Sequence, residues 1–393
     1  MSKVNARLLA VGAAFALLAT ACSSASSGKS VDAPLVQGIG AAQYAIYLSP
    51  QSRDLGNATG AQSRVLLVNE DGTYTSVVTN GMDLGQIAWT DERMFFSDMQ
   101  NDYTLDASGV NTVPSPKPDN QVGIFALDGT TSVGIYNDGF TNEGYSTQVV
   151  TSGSDKATKR QVEGNYFITG QCGKRIFGAS RATGRYSTTG NPETEPMVFA
   201  QLTGTSNGKE HVVGSSKAAK EGAVAPDAPC VGGVMYYVAN AGSSALGREP
   251  KPALAMWNTT SGEFRQVPLE NATDKESLMR DDGTGLPQLD SHSVRGDAIE
   301  WYGADNSILS TNLKTGKTTH RFDVEGHTND SASSKAVFSP DEVAVLVENN
   351  DGTDIRIVSY DRQTGEEVRR ATLSGLIDDI PDSLILRGFA VRP

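Results

Sequence analysis

Few residues of this sequence have the types and spacing that chemistry requires. Its four histidines are His211, His292, His320 and His327. Its three cysteines are Cys22, Cys172 and Cys230. The histidines include no H-x-x-x-H pair and no two cysteines are near each other, so the sequence predicts no zinc site. We likewise predict no other metal, no cofactor and no catalytic residue.

The best candidates for a chemical role are Asp290 and His292, which are two residues apart on one predicted strand. Histidine is the side chain that titrates nearest to neutral pH, and a solvated histidine without a role is the alternative interpretation. Long predicted loops add Arg185, Tyr186 and Arg248 to form a candidate ligand face. Together these residues would suit a hydrolase or lyase, which is the alternative function.

Three short motifs resemble known sites but occupy predicted turns. Residues 204–208 match the G-x-S-x-G nucleophile elbow, residues 315–318 match the end of a phosphate loop, and residues 349–354 carry oxygen ligands around a glycine. The elbow and the phosphate loop both need a helix after the motif, and a strand is predicted at both places. The third motif lacks the glutamate that closes an EF-hand. We therefore predict that all three are turns.

The N-terminus has the order of a secretory signal peptide. Lys3 and Arg7 precede an uncharged run, residues 8–19, that is too short to span a bilayer. The following A-T-A-C, residues 19–22, resembles the lipobox of bacterial lipoproteins, although Ala stands where Leu is commonest. The resemblance implies a lipoprotein signal peptide over residues 1–21, a diacylglycerol lipid on Cys22, and anchoring at the extracytoplasmic face of the cell membrane. Ordinary secretion after an A-x-A cleavage site is the alternative.

Residues 22–41 are predicted to be a flexible tether rich in Ser and Gly, and residues 42–393 to be the folded domain. Without Lys3 and Arg7 the 33 basic residues become 31, against 46 acidic residues, which gives a net charge of −15. Such a surface is repelled by phosphate backbones and by anionic lipid headgroups. Nucleic acid is therefore not an expected partner, and membrane contact is expected through the lipid alone.

Beyond residue 42 the sequence is typical of an all-β domain. Short runs of β-branched and aromatic residues alternate with Gly, Asn, Asp and Ser, and helical periodicity is almost absent. A hairpin with a glycine in its turn recurs seven times, about 49 residues apart on average. Its turn glycines are Gly72, Gly109, Gly153, Gly204, Gly262, Gly316 and Gly365.

A repeat of this length indicates a propeller, so we predict a seven-bladed β-propeller, with six or eight blades as alternatives. The C-terminal segment LILRGFAVRP, residues 384–393, is an orphan strand that is expected to complete the first blade and close the ring. Residues 338–368 resemble bacterial YVTN-type and WD-type propeller repeats, with an SPD turn and a TG turn, although Glu342 replaces the usual Gly. That resemblance implies the fold and no particular function.

Cys172 and Cys230 fall at the predicted innermost strands of blades four and five. Neighbouring innermost strands adjoin around the central channel, so a disulfide between them is geometrically reasonable in an oxidising compartment. Two buried free thiols are the alternative.

The long insertions fall between the second and third strands of a blade and between blades, which places them on one face of a propeller. We call this the elaborated face, and the opposite one the plain face. Binding usually resides in elaborated loops on a rigid scaffold. The sequence therefore predicts a membrane-anchored binding scaffold, not an enzyme, whose elaborated face contacts an unknown envelope protein, cell-wall component or solute.

Overall fold

The computed structural model shows seven β-sheets whose innermost strands adjoin one another around a central channel. The all-β, seven-bladed propeller is thereby confirmed, and six or eight blades are excluded. The structure describes residues 31–32, 38–50, 61–142, 144–191, 194–205, 208–219, 225–240, 252–270, 287–303, 305–325, 334–348, 354–376 and 384–393.

Each blade has four antiparallel strands, which are numbered in chain order and named from the channel outward. Blades one and two contain β29 (Leu384–Val391), β2 (Tyr44–Pro50), β3 (Gln62–Val68) and β4 (Tyr74–Asn80), then β5 (Ala88–Trp89), β6 (Met94–Ser97), β7 (Asn101–Asp106) and β8 (Gly109–Pro114). Blades three and four contain β9 (Asn120–Ala126), β10 (Ser132–Thr141), β11 (Gly144–Ser152) and β12 (Ala157–Glu163), then β13 (Ile168–Cys172), β14 (Arg175–Arg181), β15 (Met197–Gln201) and β16 (His211–Ser216).

The remaining blades follow the same pattern. Blade five contains β17 (Cys230–Val231), β18 (Val234–Asn240), β19 (Pro252–Asn258) and β20 (Phe264–Pro268). Blades six and seven contain β21 (Val294–Arg295), β22 (Ala298–Tyr302), β23 (Ser307–Asn312) and β24 (Thr318–Asp323), then β25 (Ser334–Phe338), β26 (Glu342–Glu348), β27 (Asp354–Asp361) and β28 (Glu367–Ser374). A 3-10 turn, Gly184–Tyr186, lies between β14 and β15.

The C-terminal strand closes the ring as the sequence predicted. β29 pairs antiparallel with β2, from Tyr44 opposite Val391 to Pro50 opposite Leu384. The first blade therefore combines the two ends of the folded domain, and the pairing covers an edge of β2 that would otherwise be free. One extra residue in this pairing, Arg387, forms a β-bulge on β29.

The glycine repeat reflects how closely the blades approach one another. All seven predicted turn glycines lie in or beside the hairpins that join the two outer strands of each blade. Gly262 and Gly316 have φ angles of 69° and 74°, which disfavour any residue with a Cβ. A Cβ at these positions would also lie 2.0 Å from the carbonyl oxygens of Val213 and Pro268, on the outer strands of the preceding blades. Each of these turns therefore has a local and a tertiary reason for its glycine.

The apolar core lies between blades, where side chains of neighbouring sheets pack face to face. At the interface of blades four and five, Phe177, Phe199 and Trp257 form a continuous stack with ring centroids 5.5 and 5.2 Å apart. All three rings are buried. Stacked aromatic pairs of this kind contribute beyond their buried area, and here they join two blades.

The order of the strands confirms that the long connections share one face. In an antiparallel blade, the turns between strands one and two and between strands three and four lie at the same end. The strand ends that flank the long connections between β14 and β15, between β18 and β19, and between β20 and β21 lie at the other end. The plain face has turns as short as the pair Gly232 and Gly233.

The chain enters the propeller at the plain face, because β2 begins there with Tyr44 opposite Val391. Just before β2, the Ile39 amide donates to the Asp106 carbonyl at 3.0 Å, beside the plain-face turn of β7 and β8. A short strand, β1 (Val31–Asp32), pairs in parallel with Thr75 and Ser76 at the outer edge of blade one. Part of the range predicted as a tether is thus joined to the sheet.

Candidate functional site

The central channel is the main cavity of the propeller and has a volume of about 940 Å³. Residues of all seven blades line it, mostly from the innermost strands. Ligand pockets in proteins have volumes of roughly 300–1,000 Å³, so this cavity is large enough for a small molecule. Its walls combine apolar side chains with many polar and charged ones, among them the glutamines Gln86, Gln121, Gln171 and Gln288.

Asp290 and His292 both line the channel, as the sequence predicted. They do not lie within a strand, because β21 begins only at Val294. Residues 290–293 form a turn in which the Ser293 amide donates to the Asp290 carbonyl and the Asp290 amide donates to the Ser293 hydroxyl, both at 3.0 Å. The self-contained hydrogen bonds of this turn explain why strand pairing starts later than expected.

The Asp290 carboxylate is held by the backbone of two segments. One oxygen accepts from the His292 amide at 2.9 Å, and the other accepts from the Phe338 amide of blade seven at 2.7 Å. Burial, followed by repulsion from Asp227, raises the pKa of Asp290 from 3.8 to about 7. The group can therefore exchange a proton near neutral pH, although backbone donors already occupy both of its oxygens.

Asp227 brings blade five into the same part of the channel. One of its oxygens accepts from the Ser291 amide at 3.1 Å and from the Ser291 hydroxyl at 2.7 Å. The His292 ring is exposed and lies 3.5 Å from the Ser291 hydroxyl. This part of the channel, lined by Asp227 and Asp290, is its acidic region.

A buried arginine fixes the wall behind the acidic region. Arg362, in the turn after β27, donates through Nε to Glu300 of blade six at 2.8 Å, with the two side chains only 1% and 7% exposed. Its Nη1 also donates to the carbonyls of His292 and Ser339, and its guanidinium lies 5.1 Å from the centroid of the Phe338 ring. The arginine therefore joins blades six and seven. Its position in a polar turn (DRQTG) gave no sequence signal of burial.

A second charged region of the channel lies between blades seven and one, and sequence reasoning missed it. Lys335 of β25 and Arg387 of β29 both line the cavity. Arg387 pairs with Asp83 at 2.8 Å. A charged residue within each apolar innermost strand, KAVF and LILRGFAV, was the available signal. We call Lys335 and Arg387 the cationic region.

The structure places the remaining candidates away from the channel. Arg185 donates to Glu163 and Glu210, and Tyr186 donates to Glu210 at 2.7 Å. Burial and the hydrogen bond to Glu210 raise the pKa of Tyr186 to about 12. These contacts lie at the junction of blades three and four, and neither residue lines the cavity. The predicted grouping of Arg185 and Tyr186 with Asp290 is therefore not present.

Arg248 and Cys22 lie outside the described residues, as do residues 349–353 of the third look-alike motif and Ser206 of the G-x-S-x-G motif. Residues 315–317 lie in the hairpin turn between β23 and β24, and Thr318 begins β24, so a strand follows this motif as predicted. Within the described ranges, no cluster of His, Cys, Asp and Glu could hold a metal ion. No helix in this part of the chain is long and apolar enough to cross a membrane.

The structure contains the disulfide that the cysteine positions suggested. Cys172 and Cys230 are bonded, with their Cα atoms 5.3 Å apart and a sequence separation of 58. They lie on the innermost strands of blades four and five, at the plain face. The bond is a covalent link between two blades beside the channel.

The fold and its channel define the chain as a seven-bladed β-propeller with one elaborated face. The chain belongs to the family of YycP β-propeller domains, whose model matches residues 40–383.

Solved structures with some similarity include a mutant of Synechocystis ACO, with 10% identity over 88% of this chain and 91% of that one and a TM-score of 0.48. AztD of Citrobacter koseri has 10% identity over 84% and 86%, with a TM-score of 0.44. BamB of Moraxella catarrhalis has 12% identity over 84% and 88%, with a TM-score of 0.41. These scores are too low to bear on the function of this chain. Comparison with curated protein sequences gives no match.

Proposed function

We propose that this protein is a lipid-anchored binding scaffold on the extracytoplasmic face of a bacterial membrane. Its elaborated face would engage an envelope protein, a cell-wall component or a solute. The observation that carries this proposal is the order of the strands, which puts the ends joined by the long connections between β14 and β15, β18 and β19, and β20 and β21 on one face. Rigid scaffolds usually bind through such connections.

One described part of the elaborated face is built as a compact surface. In the connection between β14 and β15, the Glu195 carboxylate accepts hydrogen bonds from the amides of Thr188, Thr189 and Gly190, each at 2.7 Å. It also accepts from the Ser187 hydroxyl at 2.5 Å. These hydrogen bonds to an ionised group hold an exposed loop in one shape, which lowers the entropy lost when a partner binds.

The entry point of the chain supports a definite orientation. The folded domain begins at the plain face, where β1 joins the outer edge of blade one. Only residues 23–30 separate β1 from Cys22, and an extended chain spans at most about 3.6 Å per residue. A lipid on Cys22 would therefore keep the plain face within about 30 Å of the membrane and direct the elaborated face away from it.

The disulfide is consistent with this location. Disulfides persist in oxidising compartments outside the cytosol and are rare within it. The bond between Cys172 and Cys230 would thus form after export, in agreement with the proposed signal peptide over residues 1–21.

The anchor is tested by fractionating cells that express the wild type or Cys22→Ala. We expect the wild type in the membrane fraction with an acylated Cys22 at its N-terminus, as measured by mass spectrometry, and the variant in the soluble or secreted fraction. An identical distribution of the two proteins would show that ordinary secretion is correct.

The binding face is tested by introducing a photo-crosslinking amino acid at an exposed position of each face. Thr188 reports on the elaborated face and Lys174, in the turn between β13 and β14, on the plain face. We expect crosslinks to cell-envelope material from Thr188 and few from Lys174. Equal crosslinking from both positions, or crosslinking from Lys174 alone, would contradict the assignment.

A hydrolase or lyase acting in the channel is the alternative, and the pKa of Asp290, about 7, favours it. Catalytic groups often have pKa values close to the working pH. The alternative has less support because the backbone occupies both oxygens of Asp290 and because Arg185 and Tyr186 lie elsewhere. Turnover of an envelope-derived substrate that is lost in Asp290→Asn would favour the enzyme.

A further inference from the structure

Lys335 is a cation without a counterion among the residues that the structure describes. It is the second residue of β25, an innermost strand whose other residues are uncharged, and it lines the channel. Within the described part of the chain, its ammonium group makes no hydrogen bond or ion pair. Burial, followed by repulsion from Arg387, lowers its pKa. Lys335 is half-buried, and a cation that is partly removed from water normally has a partner, because losing hydration is costly.

The direction of the Lys335 side chain follows from the strand. Alternate residues of a strand point to opposite sides, so Lys335 and Val337 share a side. Val337 packs in the apolar cluster that contains Leu384 and Leu386 of β29. Lys335 therefore points towards the first blade, where Arg387 lies.

Arg387 has spare donor capacity at the same place. Its Nη2 pairs with Asp83 at 2.8 Å, and its side chain is 23% exposed. Its Nε is buried without a hydrogen-bond partner. As the extra residue of the bulge on β29, Arg387 departs from the regular alternation of the strand. Bulges often re-aim a side chain in this way next to a functional site.

Asp83 pairs with Arg387, and no described carboxylate pairs with Lys335, although the overall charge of the protein is strongly negative. We infer that Lys335 and Arg387 form a binding site for an oxyanion, the carboxylate or phosphate group of a small ligand that enters the central channel. Ammonium and guanidinium groups both form strong charge-assisted hydrogen bonds with such oxygens. The site needs neither a protein partner nor a lipid anchor.

The two charged regions lie near different ends of the channel, and Arg392 also lines it near the plain face. Lys335 lies near the end of β25 that follows the elaborated-face connection, whereas Asp290 contacts Phe338 at the other end of the same strand.

The test uses the purified full-length chain in detergent at low ionic strength. Inorganic phosphate and acetate are titrated separately by calorimetry, so that the two arms distinguish phosphate from carboxylate ligands. We expect saturable binding of at least one probe by the wild type. Loss of a charged hydrogen-bond donor should weaken that binding about tenfold or more in Lys335→Met.

Lys314→Met is the matched control, since it removes the same charge from a side chain that is 80% exposed on the outside of blade six. It should bind the probe as the wild type does. The absence of saturable binding of both probes, or equal weakening in the two variants, would overturn the inference.

Thermal unfolding gives a second and independent readout. Removing an unpaired and partly desolvated charge should raise the melting temperature of Lys335→Met in buffer without the probe. The probe should raise the melting temperature of the wild type and leave that of the variant unchanged. A lysine with a purely structural role would show the reverse, with Lys335→Met melting at a lower temperature. Because no partner is present in these experiments, their failure is distinct from failure of the crosslinking test.

Discussion

Arg362 offers a sharp test of how the wall of the channel is held. Its guanidinium is 1% exposed and donates to Glu300 of blade six and to the carbonyls of His292 and Ser339. Arg362→Met keeps an unbranched stem that can still pack on Phe338 but removes every donor. The substitution therefore separates the hydrogen bonds and the charge from the packing.

The expected loss follows from what remains buried. The Glu300 carboxylate, only 7% exposed, would lose its counterion, and breaking a buried ion pair by removing one partner costs about 3–5 kcal/mol. Glu300→Gln leaves the Arg362 cation without its counterion, but Arg362 keeps an acceptor for Nε and its two carbonyl acceptors, so the cost should be smaller, about 1–2 kcal/mol. The double variant leaves no stranded charge, so its loss should be smaller than the sum of the two single losses by about 2 kcal/mol.

The free energy of unfolding is measured by urea denaturation of the four proteins in this cycle, provided that the slopes agree. Lys314→Met serves as the control, because its pair with Asp297 is 3.9 Å long and largely exposed. Such pairs contribute little, so the midpoint should not change. Additive losses for the two single substitutions would refute the argument that the pair is a coupled unit joining blades six and seven.

Three further predictions concern the covalent link, the acidic region and ring closure. Cys172→Ala/Cys230→Ala should lower the free energy of unfolding by about 4 kcal/mol, from the entropy of a 58-residue loop, and unchanged urea midpoints would contradict this. The folded pKa of Asp290, about 7, exceeds its ordinary 3.8, so the folded state binds the proton more tightly and stability should fall as pH rises from about 4 through 7. Melting temperatures measured across that range should fall less in Asp290→Asn, and parallel curves would rule out this role. Deleting residues 384–393 exposes the edge of β2 and should cause aggregation, as read by light scattering; a monomeric product with unchanged melting temperature would disprove ring closure by β29.

Much of the fold could be read from the sequence because its signals are local. Turn glycines such as Gly262 and Gly316 mark the outer hairpins, since a positive φ angle and a close backbone approach both exclude a side chain there. The disulfide could also be anticipated, since Cys172 and Cys230 occupy equivalent places in consecutive repeats.

The candidate site was less accessible to sequence reasoning. Asp290 and His292 were correctly placed at the channel, but Arg185 was grouped with them only because long loops were expected to converge. In the structure its side chain is held by Glu163 and Glu210 between two blades. Ion pairs between distant segments leave no periodic or motif signal, so a sequence pattern does not reveal them.

Strand and turn preferences act over a few residues, and the same preferences recur in each of the seven repeats. The all-β class, the number of repeats, the cysteine pair and the elaborated face could therefore be inferred from the sequence. The contacts between particular charged side chains could not be inferred in this way. Lys335 and Arg387 adjoin because the last strand closes the ring beside the seventh blade and carries a bulge. Arg362 contacts Glu300 because the turn after β27 of blade seven packs against blade six. Such contacts depend on how the whole ring closes and on the desolvation that closure imposes, and neither property is encoded in any short stretch of the chain.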